Sequence, residues 1–313
     1  LRISACANPY SRSHTINPGH TMRSSPHTST AAKPRRLTTL TGLLAGLALL
    51  AGGCTTAPPA PSAGATLSSE RIAAIVASPD RSAADRTNDV RRKPAQMLAF
   101  IGVRPGMVAL DLSAARGYTT ELIARAVGPT GRVYGQNAPR NPDRAPPAAP
   151  EGAASPIAPS MAPVMPSAPL NLAQRAGNPA TRNIIPVTRP FEDPIPPEVA
   201  SNGLDLVTLM FNYHDFGHMG VDRARVNRAV FAALKPGGMY VIADHAGRPD
   251  TGISESGTLH RIEEAFLRRE VEAAGFKLAQ EGYFLRNPAD PRDRNTPEPP
   301  QPKAEFVLKF VKP

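Results

Sequence analysis

The chain has 313 residues, and 36 of them are proline, roughly twice the usual share, so part of it must be linker rather than packed domain. The hydrophobic fraction of 41%, with 5% aromatic residues and no tryptophan, suffices for one largely aliphatic core. The net charge of +10 does not indicate nucleic-acid binding, because six basic residues and no acidic residue lie in residues 1–53, and the rest of the chain carries only +4.

Residues 22–53 have the composition of an export signal. A basic stretch from Met22 to Arg36 precedes the apolar run from Leu37 to Ala51, which ends in small residues. This run is shorter than a typical membrane-spanning helix, and proline-rich chain follows it. Residues 1–21 precede the first methionine, so the sequence predicts that they come from a start-site artefact.

The segment Leu50-Ala51-Gly52-Gly53-Cys54 resembles the lipobox of bacterial lipoproteins. The resemblance implies lipidation of Cys54, a Pro/Ala/Ser tether over residues 54–69, and export to the periplasmic face of the bacterial envelope, where the lipid anchors the protein to the membrane. By the same resemblance, Thr55 after the cysteine favours the outer membrane. A plain secretory signal, a transmembrane anchor and a twin-arginine signal at Arg35-Arg36 are the alternatives that remain open.

From residue 70 to residue 313 the pattern predicts one α/β domain. Its first half contains, in order, a short amphipathic helix at Glu70–Val76, a helix ending near Ile101, a strand at Met107–Leu112, a helix at Thr119–Val127 and a strand at Arg132–Gly135. The first strand is almost wholly apolar, as expected for a strand buried on both faces of a parallel sheet. Its one charge, Asp111, lies near the carboxyl end, where open α/β sheets bind ligands.

A proline-rich segment divides this domain. Residues 138–169 hold ten prolines and nine alanines, a composition that cannot bury a core, so residues 138–180 are predicted to be a disordered insertion. After it the pattern predicts strands at Asn183–Thr188, Leu204–Met210 and Met239–Ala243, helices at Arg223–Leu234 and Leu259–Ala274, and two last strands within Phe276–Phe284 and Glu305–Val311. Strands that alternate with helices indicate a mostly parallel sheet with helices on both faces.

Four segments carry a resemblance to a known family: Val103–Leu112, the loop closing at Gly117, the turn Leu234–Gly238, and Phe306–Phe310. With them the chain resembles the class I S-adenosylmethionine-dependent methyltransferases over residues 93–313, the insertion excepted. This resemblance implies a Rossmann-like α/β fold with a seven-stranded sheet whose last strand is antiparallel. An NAD-dependent dehydrogenase is the less favoured alternative, because no complete Gly-x-Gly-x-x-Gly is present.

Three further segments, Asn212–Asp215, Gly257–Ile262 and Arg286–Pro291, resemble an uncharacterised group of exported predicted bacterial methyltransferases. The wider resemblance implies that S-adenosylmethionine is bound at the carboxyl edge of the sheet. The residues at the family's cofactor-binding positions are Asp111, Ser113, Ala115, Gly117, Gln136, Asn137, Glu192, Asp193 and Asn212. Ser113 and Ala115 stand where the family has glycine, and Gln136-Asn137 stands where it has a carboxylate that accepts hydrogen bonds from the ribose.

Polar side chains that follow two strands are the candidate catalytic residues. His214 and Asp215 follow the fourth strand and His245 follows the fifth, so they are expected to lie near the bound cofactor, together with Asp244 and His260. A histidine with its ordinary pKa near 6.5 suits proton removal from an acceptor at neutral pH. No metal site is predicted, although a divalent ion held by this cluster is an open alternative.

The sequence therefore predicts a methyltransferase for a small-molecule acceptor, with no nucleic-acid partner and with protein partners undefined. The alternative is a catalytically inactive, methyltransferase-like binding or structural lipoprotein. Three features favour this alternative: the altered loop, the missing ribose carboxylate, and the predicted location outside the cytoplasm. S-adenosylmethionine is made inside the cytoplasm.

Overall fold

The computed structural model describes residues 64–139, 170–297 and 301–313. The predicted signal, Cys54, most of the tether and most of the proline-rich insertion lie outside the described residues. Within the described ranges, each helix is too short or too polar to cross a membrane.

Three helices precede the sheet: α1 (Ser69–Val76), α2 (Ala83–Arg92) and α3 (Pro94–Ile101). The side chain of Ser68 caps α1 by accepting a hydrogen bond from the backbone of the first turn, and Gly102 ends α3 with a left-handed backbone. Helix α2 was not predicted. Its ten residues include a single branched apolar side chain, the exposed Val90, so hydrophobic periodicity gives no signal for it.

Seven strands form one sheet in the order β3-β2-β1-β4-β5-β7-β6. Strand β7 is antiparallel to both of its neighbours, and the other adjacent pairs are parallel. The strands are β1 (Val108–Leu112), β2 (Arg132–Asn137), β3 (Ile184–Thr188), β4 (Leu204–Met210), β5 (Leu234–His245), β6 (Lys277–Gly282) and β7 (Glu305–Val311). The remaining helices are α4 (Tyr118–Val127), α5 (Leu172–Ala176), α6 (Asp215–His218), α7 (Arg223–Ala233) and α8 (Glu264–Ala273).

The sheet separates two apolar clusters, because successive side chains of a strand point to opposite faces. Leu110 and Leu112 of β1 contribute to one cluster with residues of α7 and α8, whereas Ala109 contributes to the other with residues of α3 and α4. Strands β1 and β4 are neighbours in the sheet. The connection that follows β1 leads to β2 on one side, and the connection that follows β4 leads to β5 on the other side. This arrangement opens a crevice at their carboxyl ends.

The predicted fold is confirmed: the domain is an α/β protein with a seven-stranded, mostly parallel sheet and helices on both faces. Pro186 was expected to mark a strand end or edge, and β3 is indeed an edge strand of the sheet.

Two predicted boundaries are wrong. Residues 170–180, assigned to the disordered insertion, form α5 and a 3-10 turn, because Asn171 and Gln174 form a capping box and Leu172 and Arg175 are buried. The helix predicted from Leu259 begins only at Glu264. Before it, the backbone of Ile262 donates a hydrogen bond to His245 and accepts one from Gly247, so this segment pairs with the end of β5 instead of coiling.

Candidate functional site

The loop between β1 and α4 follows a glycine-like path although two of its residues carry side chains. Ser113, Ala115 and Gly117 have φ values of 55°, 50° and 82°. The left-handed region costs a residue with a Cβ roughly 1 kcal/mol or more. Ser113 and Ala115 therefore hold this backbone conformation at a cost in conformational energy.

Asp111 lies at the end of β1 under this loop and is almost fully buried. Its two carboxylate oxygens accept hydrogen bonds from the hydroxyls of Thr120 (2.6 Å) and Thr208 (2.7 Å). Burial raises the pKa of Asp111 to about 6, against the opposing effect of these hydrogen bonds and of the Arg92 guanidinium. A buried carboxyl group with a raised pKa, placed at the carboxyl edge of a sheet, is typical of functional sites.

The amides at the end of β2 bind the loop itself. Gln136 Oε1 accepts from the backbone N–H of Ser113 (3.0 Å), and Asn137 Oδ1 accepts from that of Ala115 (2.8 Å). Gly117 is covered by α5, since a Cβ there would lie 2.6 Å from Leu172 Cδ2. Each of these residues is thus at the predicted edge of the sheet.

The other predicted cofactor-binding residues are more dispersed. Asp193 is exposed and forms an ion pair with Arg189, and Glu192 is half-buried in the same loop after β3. The side-chain amide of Asn212 instead donates to Asp215 Oδ2 (2.9 Å). Asn212 therefore belongs to the polar cluster that follows β4 and β5.

His214 is held between two carboxylates. Its Nδ1 lies 2.6 Å from Asp244 Oδ1, and its Nε2 lies 3.0 Å from Asp215 Oδ1. His260 Nδ1 contacts the same oxygen of Asp215 at 3.1 Å. These four side chains meet as the sequence predicts, while the catalytic role assigned to them stays a prediction.

The pKa values of the two candidate catalytic histidines, His214 and His245, are shifted in opposite directions. Burial acts to lower the pKa of His214, but the charges of Asp244 and Asp215 outweigh it and raise the pKa to about 10. His214 is then an imidazolium at neutral pH, and the ordinary pKa on which its role as a base was predicted does not apply. Burial, reinforced by the charge of Lys303, lowers the pKa of His245 well below its ordinary value and keeps it neutral.

Three side chains that were not predicted as site residues also lie at the carboxyl edge of the sheet: Arg92, Tyr118 and Phe211. The guanidinium of Arg92, on α2, lies 4.5 Å from the ring centre of Phe211 and 5.4 Å from that of Tyr118. Phe211 has φ of 63°, a strained value for a bulky residue. A cavity of about 20 Å³ lies between them, room for about one water molecule. Sequence periodicity gives no signal for these contacts, because they join separate elements; Arg92 and Phe211 are more than 100 residues apart.

The strand order and the crevice give this chain a Rossmann-like α/β fold with a seven-stranded sheet, the fold that the sequence resemblance implies. No family model matches the sequence, and no curated protein matches it at a significant level. Similar solved structures include an S-adenosylmethionine-dependent methyltransferase from Aquifex aeolicus, 14% identical, which covers 79% of this chain and 100% of its own with a TM-score of 0.46. One from Mesorhizobium loti is 16% identical and covers 72% of this chain and 99% of its own with a TM-score of 0.44.

A third similar structure is Aeropyrum pernix fibrillarin with bound S-adenosyl-L-methionine. It is 19% identical and covers 67% of this chain and 68% of its own with a TM-score of 0.38. Likenesses at this level describe a fold and identify neither a ligand nor a reaction.

Proposed function

We propose that this protein is a methyltransferase that uses S-adenosylmethionine and acts on a small-molecule acceptor. The observation that carries the proposal is the left-handed backbone of Ser113 and Ala115. Two residues with side chains keep the path that glycine takes at the carboxyl edge of β1, at a cost in conformational energy. Strain retained at this edge supports a ligand-contacting role for the loop.

The residues of the edge fit this cofactor. Its methionine part carries an ammonium and a carboxylate, and the edge offers an anion and a cation close together, Asp111 and Arg92. Asn137, which is half-buried, would face the ribose, since its amide oxygen accepts one hydrogen bond and retains a second lone pair. Gln136 is fully buried and supports the loop from behind. The loop from Ser113 to Gly117 would lie against the methionine part.

When bound, S-adenosylmethionine supplies an electrophilic methyl group, and the acceptor's lone pair forms the new bond as the bond from methyl to sulfur breaks. The chain's own contribution is to orient the acceptor. Asp215 and His260 are suited to this, because their side chains are 22% and 39% exposed whereas that of His214 is 3% exposed. Asp244 and His214 lie behind them and fix their positions.

Calorimetry on the full chain tests the proposal. We expect S-adenosylmethionine and S-adenosylhomocysteine to bind with micromolar affinity, and the double variant Ser113→Gly, Ala115→Gly to bind several-fold more tightly, because without the two Cβ atoms the loop backbone can approach the ligand more closely. Asn202→Gly is the matched control, since Asn202 has a φ of 47° at the opposite end of β4. Its affinity should equal that of the parent.

The absence of binding at millimolar ligand would overturn the proposal and leave the second candidate function, an inactive methyltransferase-like binding or structural protein. That candidate is favoured by one observation: the loop amides and the amides of Gln136 and Asn137 satisfy one another. Binding that is unchanged in the double variant would place the ligand elsewhere than at this loop.

We also propose that the protein is exported and anchored in the bacterial envelope by lipid on Cys54. The support is the order of basic stretch, apolar run, small residues and cysteine in residues 22–54. Mass spectrometry of the N-terminal peptide from membrane fractions should show a diacylglyceryl cysteine, and Cys54→Ala should release the protein from those fractions. A Cys54→Ala protein that stays membrane-bound would contradict the anchor.

A further inference from the structure

Three side chains at the carboxyl edge each bring one ligand atom to a common point: His214, Asp215 and His260. Asp215 Oδ1 lies 3.0 Å from His214 Nε2 and 3.1 Å from His260 Nδ1, and the ligand atoms of the three residues all lie within 4.8 Å of one another. Ligand atoms around a tetrahedral zinc ion, at about 2.1 Å from the metal, are roughly 3.4 Å apart. The two separations from Asp215 Oδ1 are close to those of such a shell.

A second set of contacts orients these side chains as metal ligands are oriented. Asp244 is fully buried and accepts from Nδ1 of His214 (2.6 Å) and from its backbone N–H (2.8 Å), which directs Nε2 toward Asp215. Asn212 binds the other oxygen of Asp215, so that Oδ1 faces the histidines. A carboxylate behind a histidine and a hydrogen bond to a ligating carboxylate are the usual support of a metal site.

The backbone conformation of His260, one of the three residues, is also unusual. His260 has a φ of 50°, an uncommon value for a residue with a side chain. The neighbouring backbone hydrogen bonds of Ile262, one with His245 and one with Gly247, hold the segment in place. The surrounding structure holds His260 in this strained backbone conformation, which indicates that the position of its imidazole ring matters.

We propose that His214, Asp215 and His260 bind a divalent transition ion of the zinc class, and that the ion takes the place of the proton on Nε2 of His214, which is released to solvent. Two imidazoles and one carboxylate are the donors that zinc, iron(II) and cobalt(II) take, whereas calcium and magnesium prefer shells of oxygen. The exposure of the three side chains increases from His214 to His260, which gives the ion a path from solvent. Three protein ligands leave a further position for water or an acceptor's oxygen or sulfur atom.

This site goes beyond the proposed methyl transfer and does not depend on it, since none of its ligands belongs to the loop after β1. At the edge where an acceptor would approach, a bound cation favours the deprotonated form of an alcohol, phenol or thiol that coordinates it. The class of acceptor that it favours is therefore one with an ionisable oxygen or sulfur nucleophile.

Zinc titration of the full chain, without S-adenosylmethionine and in competition with a chromophoric chelator, tests the site. We expect one zinc ion per chain with micromolar or tighter affinity and, for cobalt(II), visible absorption bands of a low-coordinate complex. His260→Gln should weaken this binding by about 100-fold. Because the His260 side chain is 39% exposed, this variant should fold, and its thermal unfolding midpoint checks that it does.

His245→Gln is the matched control. Its ring centre lies 5.4 Å from that of His214, and it is not one of the three ligands. Zinc affinity should stay within about threefold of the parent in this variant. Equal affinity of the parent and His260→Gln, or the lack of a saturable site of one equivalent, would overturn the proposal. Either result leaves the calorimetry with S-adenosylmethionine unaffected, so the two proposals fail separately.

Discussion

We expect Arg175→Met to lower the free energy of unfolding by about 3–5 kcal/mol, the cost of leaving buried carboxylates without their cation. Arg175 is 1% exposed, and its guanidinium binds Asp85 at 2.7 and 2.9 Å, Glu121, and the backbone carbonyl of Arg116 at 2.7 Å. Glu121 keeps Arg125 as a partner, so the loss falls mainly on Asp85.

Denaturant unfolding of parent and variant measures this loss. Arg268→Met is the matched control, because it removes the exposed pair Arg268–Glu272 and should cost less than about 1 kcal/mol. If Arg175→Met does not fold, the triple variant Arg175→Met, Asp85→Asn, Glu121→Gln should fold, since it removes the unpaired charges as well. A loss below 1 kcal/mol for Arg175→Met would show that the network is unimportant for stability.

Asp111→Asn should raise the free energy of unfolding at pH 7.5 by about 3 kcal/mol and leave it nearly unchanged at pH 4. Burial raises the pKa of Asp111 from 3.8 to about 6 in the folded protein. The folded state therefore holds this proton more tightly than the unfolded state does. The contribution of Asp111 to stability is most favourable below pH 4, falls as the pH rises to 6, and stays low above it.

Unfolding curves of both proteins at the two pH values check this prediction, because the difference between them cancels the titration of all other groups. The amide of asparagine retains partners, since the hydroxyls of Thr120 and Thr208 can donate or accept. Asp205→Asn, at the other end of the sheet, removes a partner of Lys235 and should lower stability instead. A gain in Asp111→Asn that is equal at pH 4 and pH 7.5 would contradict the assigned pKa.

The fold was predictable where the burial of a helix or strand produces a recognisable hydrophobic pattern in the sequence. Strands β1 and β4 are nearly continuous apolar runs because both of their faces are covered, and the periodicity of α7 reflects its single buried face. Helix α2 has no such face and depends on ion pairs with residues far along the chain, so its sequence gives no local signal. The early start predicted for α8 failed because pairing of Ile262 with the end of β5 overrides local helix propensity.

The site was predictable in its location but not in its chemistry. Parallel strands end at a common edge, so polar residues after β4 and β5 were expected to meet there, and His214 and Asp244 do meet. Their charge states depend on distances between elements, which strand patterns do not contain. Arg92 and Phe211 were not predicted for the same reason, since a helix far upstream brings the arginine to the ring.

The position of β7 has a consequence for the order in which this chain can fold. Strand β7 is the last of the seven along the chain, yet it lies between β5 and β6. Until residues 305–311 have been synthesised, β5 presents an unpaired edge over Met239–His245, and β6 lacks the strand with which it pairs. Apolar strand edges of this kind recruit other chains. A nascent or truncated chain that stops before residue 305 should therefore need a chaperone to remain soluble, whereas the finished chain closes this edge with its own last strand.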